Sequence, residues 1–170
     1  FSLGRDPLRQ RLFVDRPGQA GSGAVALRAF HDRDGDGRWS DGDLALPDVD
    51  FAVFNNSATT DAEGMARLGE LGHGNRVSVQ IDPATLPDIA MAPASRGIEI
   101  VPRAGRFHTS DFAVVELSEV EGTVSFTGAQ SNRGVSGLRL QLRDPRGEVV
   151  QTVRTERGGY FFFEQVRPGD

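Results

Sequence analysis

The chain contains no cysteine, and all 19 of its basic residues are arginine, so it has no lysine either. Without cysteine there can be no disulfide, no thiolate metal site and no cysteine nucleophile. Without lysine there can be no Schiff-base or pyridoxal chemistry, no phosphate-loop lysine and no lysine-derived cross-link. No run approaches the ~20 apolar residues of a membrane helix, so no membrane insertion by this segment is expected. No stretch keeps a helical period beyond a turn or two. The 24 acidic side chains outnumber the 19 bases for a formal charge of −5, and the arginines are dispersed, which argues against a nucleic-acid partner. The first residue is Phe1 rather than Met, which reads as a piece of a longer protein, with neighbouring domains as its expected partners.

What the chain does have is turns and alternation. Gly (21) and Pro (9) punctuate it at short intervals, and between them Val, Leu, Ile and Phe alternate with polar residues. A period of two gives one buried and one wet face, the signature of antiparallel sheets. The fold class read from this is all-β, two tandem β-sandwiches, the second incomplete at its C-terminal end. Residues 1–22 form a lead segment or linker, with Leu12 and Val14 in a short strand and a turn over Pro17–Gly23. Residues 23–117 form the first unit and residues 118–170 the second.

In the first unit, strands are expected at Gly23–His31, Val49–Val53, Val77–Ile81, Ile98–Val101 and Phe107–Leu117. A hairpin is expected from Ala58–Thr60 and Met65–Leu71 around the turn 61–64. On Gly23–His31, Val25, Leu27 and Ala29 face one way, with Ala24, Ala26, Arg28 and Phe30 opposite. Residues 82–96, with three prolines, read as a long loop. In the second unit Leu138, Leu140 and Leu142 mark a strand, and Val149–Arg154 with Tyr160–Val166 read as a hairpin around Glu156–Gly159.

The units repeat one another. Gly23-x-Val25 aligns with Gly122-x-Val124 at an offset of 99, Val49–Val53 with Leu138–Leu142 at 89, and Thr60-x-x-x-Gly64 with Thr155-x-x-x-Gly159 at 95. In this alignment the first unit carries ten extra residues between its first two strands, where an acidic loop lies.

That loop, Asp32 to Asp43, has the calcium-loop spacing D-x-D-x-D-G-x₅-[DE]. Ca²⁺ is a hard cation that takes six to eight oxygens at about 2.3–2.6 Å. Carboxylates at Asp32, Asp34 and Asp36 alternate toward one centre, and Gly37 permits the sharp turn after them. The expected metal ligands are completed by the Arg38 carbonyl, Ser40 at the ninth position and Asp43 at the twelfth. Asp in place of Glu at the twelfth position, Ser at the ninth, and Arg33 and Arg38 nearby point to a weak extracellular-type Ca²⁺ site, on the order of 10⁻⁴–10⁻³ M. Strand signals on both sides and Pro47 just beyond exclude a helix-flanked EF-hand. The metal's role is to stiffen the connection, not to catalyse. His31, His73 and His108 are far apart, no G-x-S-x-G elbow is present, and no carboxylates pair as acid and base, so no enzyme is expected.

Residues 25–71 resemble the B-type repeat of bacterial serine-aspartate surface proteins: a strand, an acidic loop, an alternating strand, then a Thr60-Asp61-x-x-Gly64 segment. Gly137-Leu138-Arg139-Leu140-Gln141-Leu142, Gly159-Tyr160-Phe161-Phe162-Phe163 and Val166-Arg167-Pro168-Gly169 resemble the carboxypeptidase-regulatory-like and collagen-adhesin B-type modules. The resemblance implies transthyretin-like Greek-key sandwiches serving as a stalk or spacer in a secreted or cell-surface protein. The lysine–asparagine isopeptide bond of some relatives is ruled out here. Met65-Ala66-Arg67-Leu68 replaces their usual aromatics, and Gly72-His73-Gly74 their usual Pro-Gly. The family's closing strand would fall after Asp170, so the second core calls for completion by further chain, by residues 1–16 or by a partner strand. Two other readings remain open. One is an adhesin or carbohydrate- or protein-binding module using the 82–96 loop or the Tyr160/Phe162 face, with Phe161 and Phe163 inward. The other is an accessory domain of an outer-membrane usher-like assembly protein.

Overall fold

The computed structural model describes the backbone of residues 2–5, 8, 12–15, 21–53, 56–128 and 132–168. The chain divides into two compact units, Phe1–Val115 and Glu116–Asp170. In the lead, β1 (Ser2–Arg5) pairs antiparallel with β2 (Leu12–Asp15), with Leu3 opposite Val14. The first unit continues with β3 (Ala24–His31), β4 (Leu44–Ala45), β5 (Asp50–Val53), β6 (Asn56–Thr59), β7 (Met65–Leu68), β8 (Val77–Ile81), β9 (Met91–Pro93), β10 (Ile98–Ile100) and β11 (Phe107–Glu116). Of the turn expected at Pro17–Gly23, residues 17–20 lie outside the described residues.

Two sheets face each other in the first unit. One runs β10-β8-β5-β6; the other runs β4-β3-β11-β9, with β7 also on β3. Val25, Leu27, Ala29, Ala66, Leu68, Phe112 and Val114 from the second sheet bury against Phe51, Val53, Val79 and Ile81 from the first. The rings of Phe51 and Phe112 meet edge to face across the gap at 4.9 Å. This is the expected sandwich, with alternate residues of each strand turned inward.

The expectation of one wet face fails at β3. Ala24, Ala26 and Phe30 are as buried as Val25, Leu27 and Ala29. β3 is the middle strand: β7 and β4 share one of its edges, and β11 runs parallel along the other from Ala24↔Phe107 to His31↔Val114. Central strands with a parallel neighbour tend to be covered on both faces.

The expected hairpins also resolve differently. β6 pairs with β5 and β7 with β3, so the turn at Asp61–Gly64 carries the chain from one sheet to the other. Thr60 fixes this corner. It is 3% exposed. Its hydroxyl donates to the Leu46 carbonyl at 2.6 Å and accepts from the Val49 N–H at 2.9 Å. Gly64 closes the turn at φ +70°, where an added Cβ would lie 2.5 Å from the Ala29 carbonyl oxygen. Residues 82–96 are less loop-like than expected. They hold a 3₁₀ turn at Pro83–Thr85 capped by Asp82, and strand β9, which pairs with β11. The Thr85 hydroxyl accepts from the Asp50 N–H, pinning the turn to β5.

The second unit comprises β12 (Ser118–Thr123), β13 (Ser125–Thr127), β14 (Asn132–Gly134), β15 (Arg139–Arg143), β16 (Val149–Arg154) and β17 (Tyr160–Val166). They pair as β12–β17, β13–β14 and β15–β16. Here too the expected hairpin is a corner: β16 pairs with β15 and β17 with β12. Thr155 repeats Thr60, donating to the Val135 carbonyl and accepting from the Leu138 N–H.

Backbone bonds set the true register of the repeat. The Ala29 N–H bonds Gly64 O and the Leu46 N–H bonds Ala29 O; in the second unit the Val124 N–H bonds Gly159 O and the Val135 N–H bonds Val124 O. Val25 opposite Leu68 likewise matches Val120 opposite Phe163. The first strand therefore repeats at an offset of 95, and the alignment at 99 is slipped by four residues. Phe30 opposite Ala45 matches Ser125 opposite Gly134, so the stretch from Phe30 to Ala45 is six residues longer than that from Ser125 to Gly134, rather than ten. Gly23 and Gly122 had suggested the slip, but Gly122 is equivalent to Leu27. The cross-strand pair Leu27–Ala66 becomes Gly122–Phe161, and the Phe161 ring fills the space over the missing side chain, 2.8 Å from where a Cβ would sit. Large and small have exchanged sides at conserved packing.

Candidate metal centre

The acidic loop leaves β3 at Asp32 and returns at β4. Asp32 is 4% exposed, while Asp34 and Asp36 face solvent. One carboxylate oxygen of each lies within 4.8 Å of the others, which makes this triad a group able to share one ion. Asp32 accepts from the Gly35 N–H through Oδ1 and from the Gly37 N–H through Oδ2, both at 2.8 Å. Asp34 accepts from the Asp36 N–H at 3.2 Å, and Asp36 from the Arg38 N–H at 2.7 Å. Each aspartate so holds backbone further along, and the chain curls around the three side chains. Gly37 sits at φ +75°, a conformation that strains other residues.

Asp43 and Ser40 form a second node. Asp43 Oδ1 accepts from the Arg33 N–H at 3.1 Å; Oδ2 accepts from the Ser40 N–H at 2.7 Å and from the Ser40 hydroxyl at 3.2 Å. Asp43 therefore ties the two ends of the loop together. Burial pushes its carboxyl pKa up, but the hydrogen bonds from Arg33 and Ser40 outweigh this and hold it below the usual 3.8. A depressed folded pKa stabilises the loop above the unfolded value and loses that effect as pH falls through the folded one. In metal-free buffer, Trp39 emission should change as pH drops below 3.8. In Asp43→Asn the loop-specific step should vanish; an unchanged profile would refute the clamp.

The donor set fits a hard cation. Two oxygens ligating one Ca²⁺ at about 2.4 Å can be no further apart than about 4.8 Å, and the triad meets that limit. Among the described residues this is the one cluster of three or more His, Asp or Glu side chains placed to share an ion. Of the six residues expected to ligate, the structure brings three carboxylates together. Asp43 and Ser40 are joined to each other, and Arg38 is held through its N–H.

Sequence reasoning missed how the loop is anchored. Trp39 stands edge-on to Phe30 at 5.6 Å, and the Arg28 guanidinium lies 4.9 Å from the Trp39 ring centroid. Arg28 also reaches Asp111 on β11 at 3.7 Å. The signal was parity: Arg28 shares a face of β3 with Phe30, next to the only tryptophan. In the second unit, the Tyr160 hydroxyl donates to Glu121 at 2.6 Å, and this bond pushes its pKa above the usual 10.0. Phe163 is buried and meets Phe161 edge to face at 5.8 Å, the inward placement expected of both. Tyr160 is exposed and Phe162 half-buried.

Residues 118–170 match the family model described as BOS complex subunit NOMO1-like, second beta sandwich domain. Colossin-A of Dictyostelium discoideum is 42% identical over 41 residues, covering 24% of this chain and 0% of its own length. The chain thus spans a negligible share of that relative. Among solved structures, the Bacillus anthracis TIE protein aligns with 88% of this chain and 27% of its own, at 18% identity and a TM-score of 0.44. The shaft pilin SpaA from Lactobacillus rhamnosus GG aligns with 85% of this chain and 82% of its own, at 12% identity and a TM-score of 0.43.

Proposed function

We propose that this chain is a non-enzymatic structural spacer of a secreted or cell-surface protein, made of two β-sandwich modules, the first stiffened by Ca²⁺. The observation that carries this reading is the convergence of Asp32, Asp34 and Asp36 in the loop that joins β3 to β4. Without a cation, the loop crowds five carboxylates into twelve residues. A bound Ca²⁺ relieves that repulsion and stiffens the path from β3 to β4. Trp39, stacked on β3, transmits the change to the sheet.

Calorimetry and Trp39 fluorescence with added Ca²⁺ test the proposal. At roughly ten times its Kd the ion should stabilise the first unit by about 1.4 kcal/mol, a rise in Tm on the order of 5 °C. Mg²⁺ should do less, because it demands tighter octahedral geometry and gives up water reluctantly. Asp34→Asn with Asp36→Asn should abolish the response without loss of the β-sheet circular dichroism. No change in Tm or emission up to about 10 mM Ca²⁺, ten times the weakest expected Kd, would remove the metal from the account.

A further inference from the structure

The two units share a further detail at the offset of 95. In the first, Leu68 lies opposite Val25 and the Leu71 N–H bonds Gly23 O, so Gly69 and Glu70 together face Ala24. In the second, Phe163 lies opposite Val120 and Val166 opposite Ser118, so Glu164 and Gln165 together face Glu119. Each is a β-bulge, two residues against one. Each also puts a non-glycine residue in the left-handed region, Glu70 at φ +56° and Gln165 at φ +55°. Such strain persists where surrounding structure holds it.

The hold comes from the other sheet. Asn56 Nδ2 of β6 donates to Gly69 O at 3.0 Å, and Gln151 Nε2 of β16 donates to Glu164 O at 2.8 Å. These two amides are equivalent, since Val53 opposite Asn56 matches Leu142 opposite Gln151. The carbonyls they take face away from the sheet. The Ala29 N–H bonds Gly64 O, so residues 64, 66 and 68 turn main-chain groups to β3, and residues 65, 67 and 69 turn theirs outward. At Met65 the outward N–H donates to Asp61 Oδ1 and the outward carbonyl accepts from the Asp61 N–H. On β17 the matching Tyr160 carbonyl accepts from the Glu156 N–H. Among the described residues, no strand pairs with the outward side of β7 or of β17. Both edges are thus occupied at each end by groups of the same unit.

A bare strand edge is a template for pairing with another chain. We propose that the bulge and its amide clip are an edge guard, which denies the β7 and β17 edges to the like edge of a second copy of this chain. A second copy is the strand to be kept out because antiparallel self-pairing is isologous: every copy brings the complementary edge with it. The bulge bends the strand away from a straight partner, and the amide takes the carbonyl that a partner strand would need. The proposal does not depend on calcium.

The test compares the full chain with Asn56→Ala by hydrogen exchange and sedimentation. The Gly69 N–H faces outward and has no partner among the described residues, so it reports an added strand. In the wild type its exchange should not vary with protein concentration. In Asn56→Ala it should slow at least ~3-fold between about 10 µM and 1 mM, with dimer appearing over the same range. Asn56→Gln keeps the donor and should behave as the wild type. Should Asn56→Ala lose its β-sheet circular dichroism, Gln151→Ala read at the Glu164 N–H, which has the same parity, carries the test in the second unit. Two results would overturn the proposal. One is exchange in the folded alanine variant that stays independent of concentration, even with a lower Tm, which would make the amide a brace of the fold. The other is equal association of Asn56→Gln and Asn56→Ala.

Discussion

Thr60→Val should destabilise the first unit by roughly 2–6 kcal/mol, since each of the two buried groups it leaves unpaired costs about 1–3 kcal/mol. The Leu46 carbonyl loses its donor and the Val49 N–H its acceptor, both at a site closed to water. Valine matches threonine in shape, so packing loss contributes little. Against a typical total of about 5–15 kcal/mol this is a large fraction. Thr60→Ser keeps the hydroxyl and removes one methyl, so it should lose only about 1 kcal/mol. Urea unfolding followed by Trp39 emission separates the two, because the only tryptophan lies in the first unit. If valine and serine proved equally mild, the corner hydroxyl would not be what joins the sheets.

The exchange of Leu27–Ala66 for Gly122–Phe161 gives the second large effect. Gly122→Leu drives a side chain into the Phe161 ring and should cost about 1–3 kcal/mol. Phe161→Ala empties that space; because the ring is half-buried, the loss should be about 2–3 kcal/mol, below that of a fully buried phenylalanine. The double variant restores the arrangement of the first unit. It should be better than the sum of the two by about 1–2 kcal/mol. Circular-dichroism unfolding of the four proteins measures the coupling, and strict additivity would show that the two positions do not share one volume.

Much of the fold was legible because alternation is a local property. β5, β8 and β11 fall where their apolar residues alternate, and Phe161 and Phe163 turn inward as their spacing requires. Partner choice was less visible. The segments flanking Asp61–Gly64 and Glu156–Gly159 look like hairpins, since a short glycine turn joins two strands in both a hairpin and a sheet-to-sheet corner. The threonine that distinguishes them acts through Leu46 and Val49, more than ten residues away. The slipped repeat has a similar cause. Glycine was matched to glycine, whereas the structure matches Gly122 to Leu27, because volume is conserved across the pair rather than at the position. At the acidic loop the spacing placed Asp32, Asp34 and Asp36 together. It could not reveal Asp43 as a clamp on Arg33 and Ser40, which depends on how the return limb folds back.

The parallel pairing of β3 and β11 has a mechanical consequence. The chain enters β3 at Ala24, beside Phe107, and leaves β11 at Glu116, beyond the His31–Val114 pair. Tension drawn between those two points runs along both strands in opposite directions. It loads the whole ladder in shear, so its hydrogen bonds resist together instead of unzipping one after another. A pulling force applied to the first unit therefore meets its longest ladder, eight paired residues from Ala24 to His31, first.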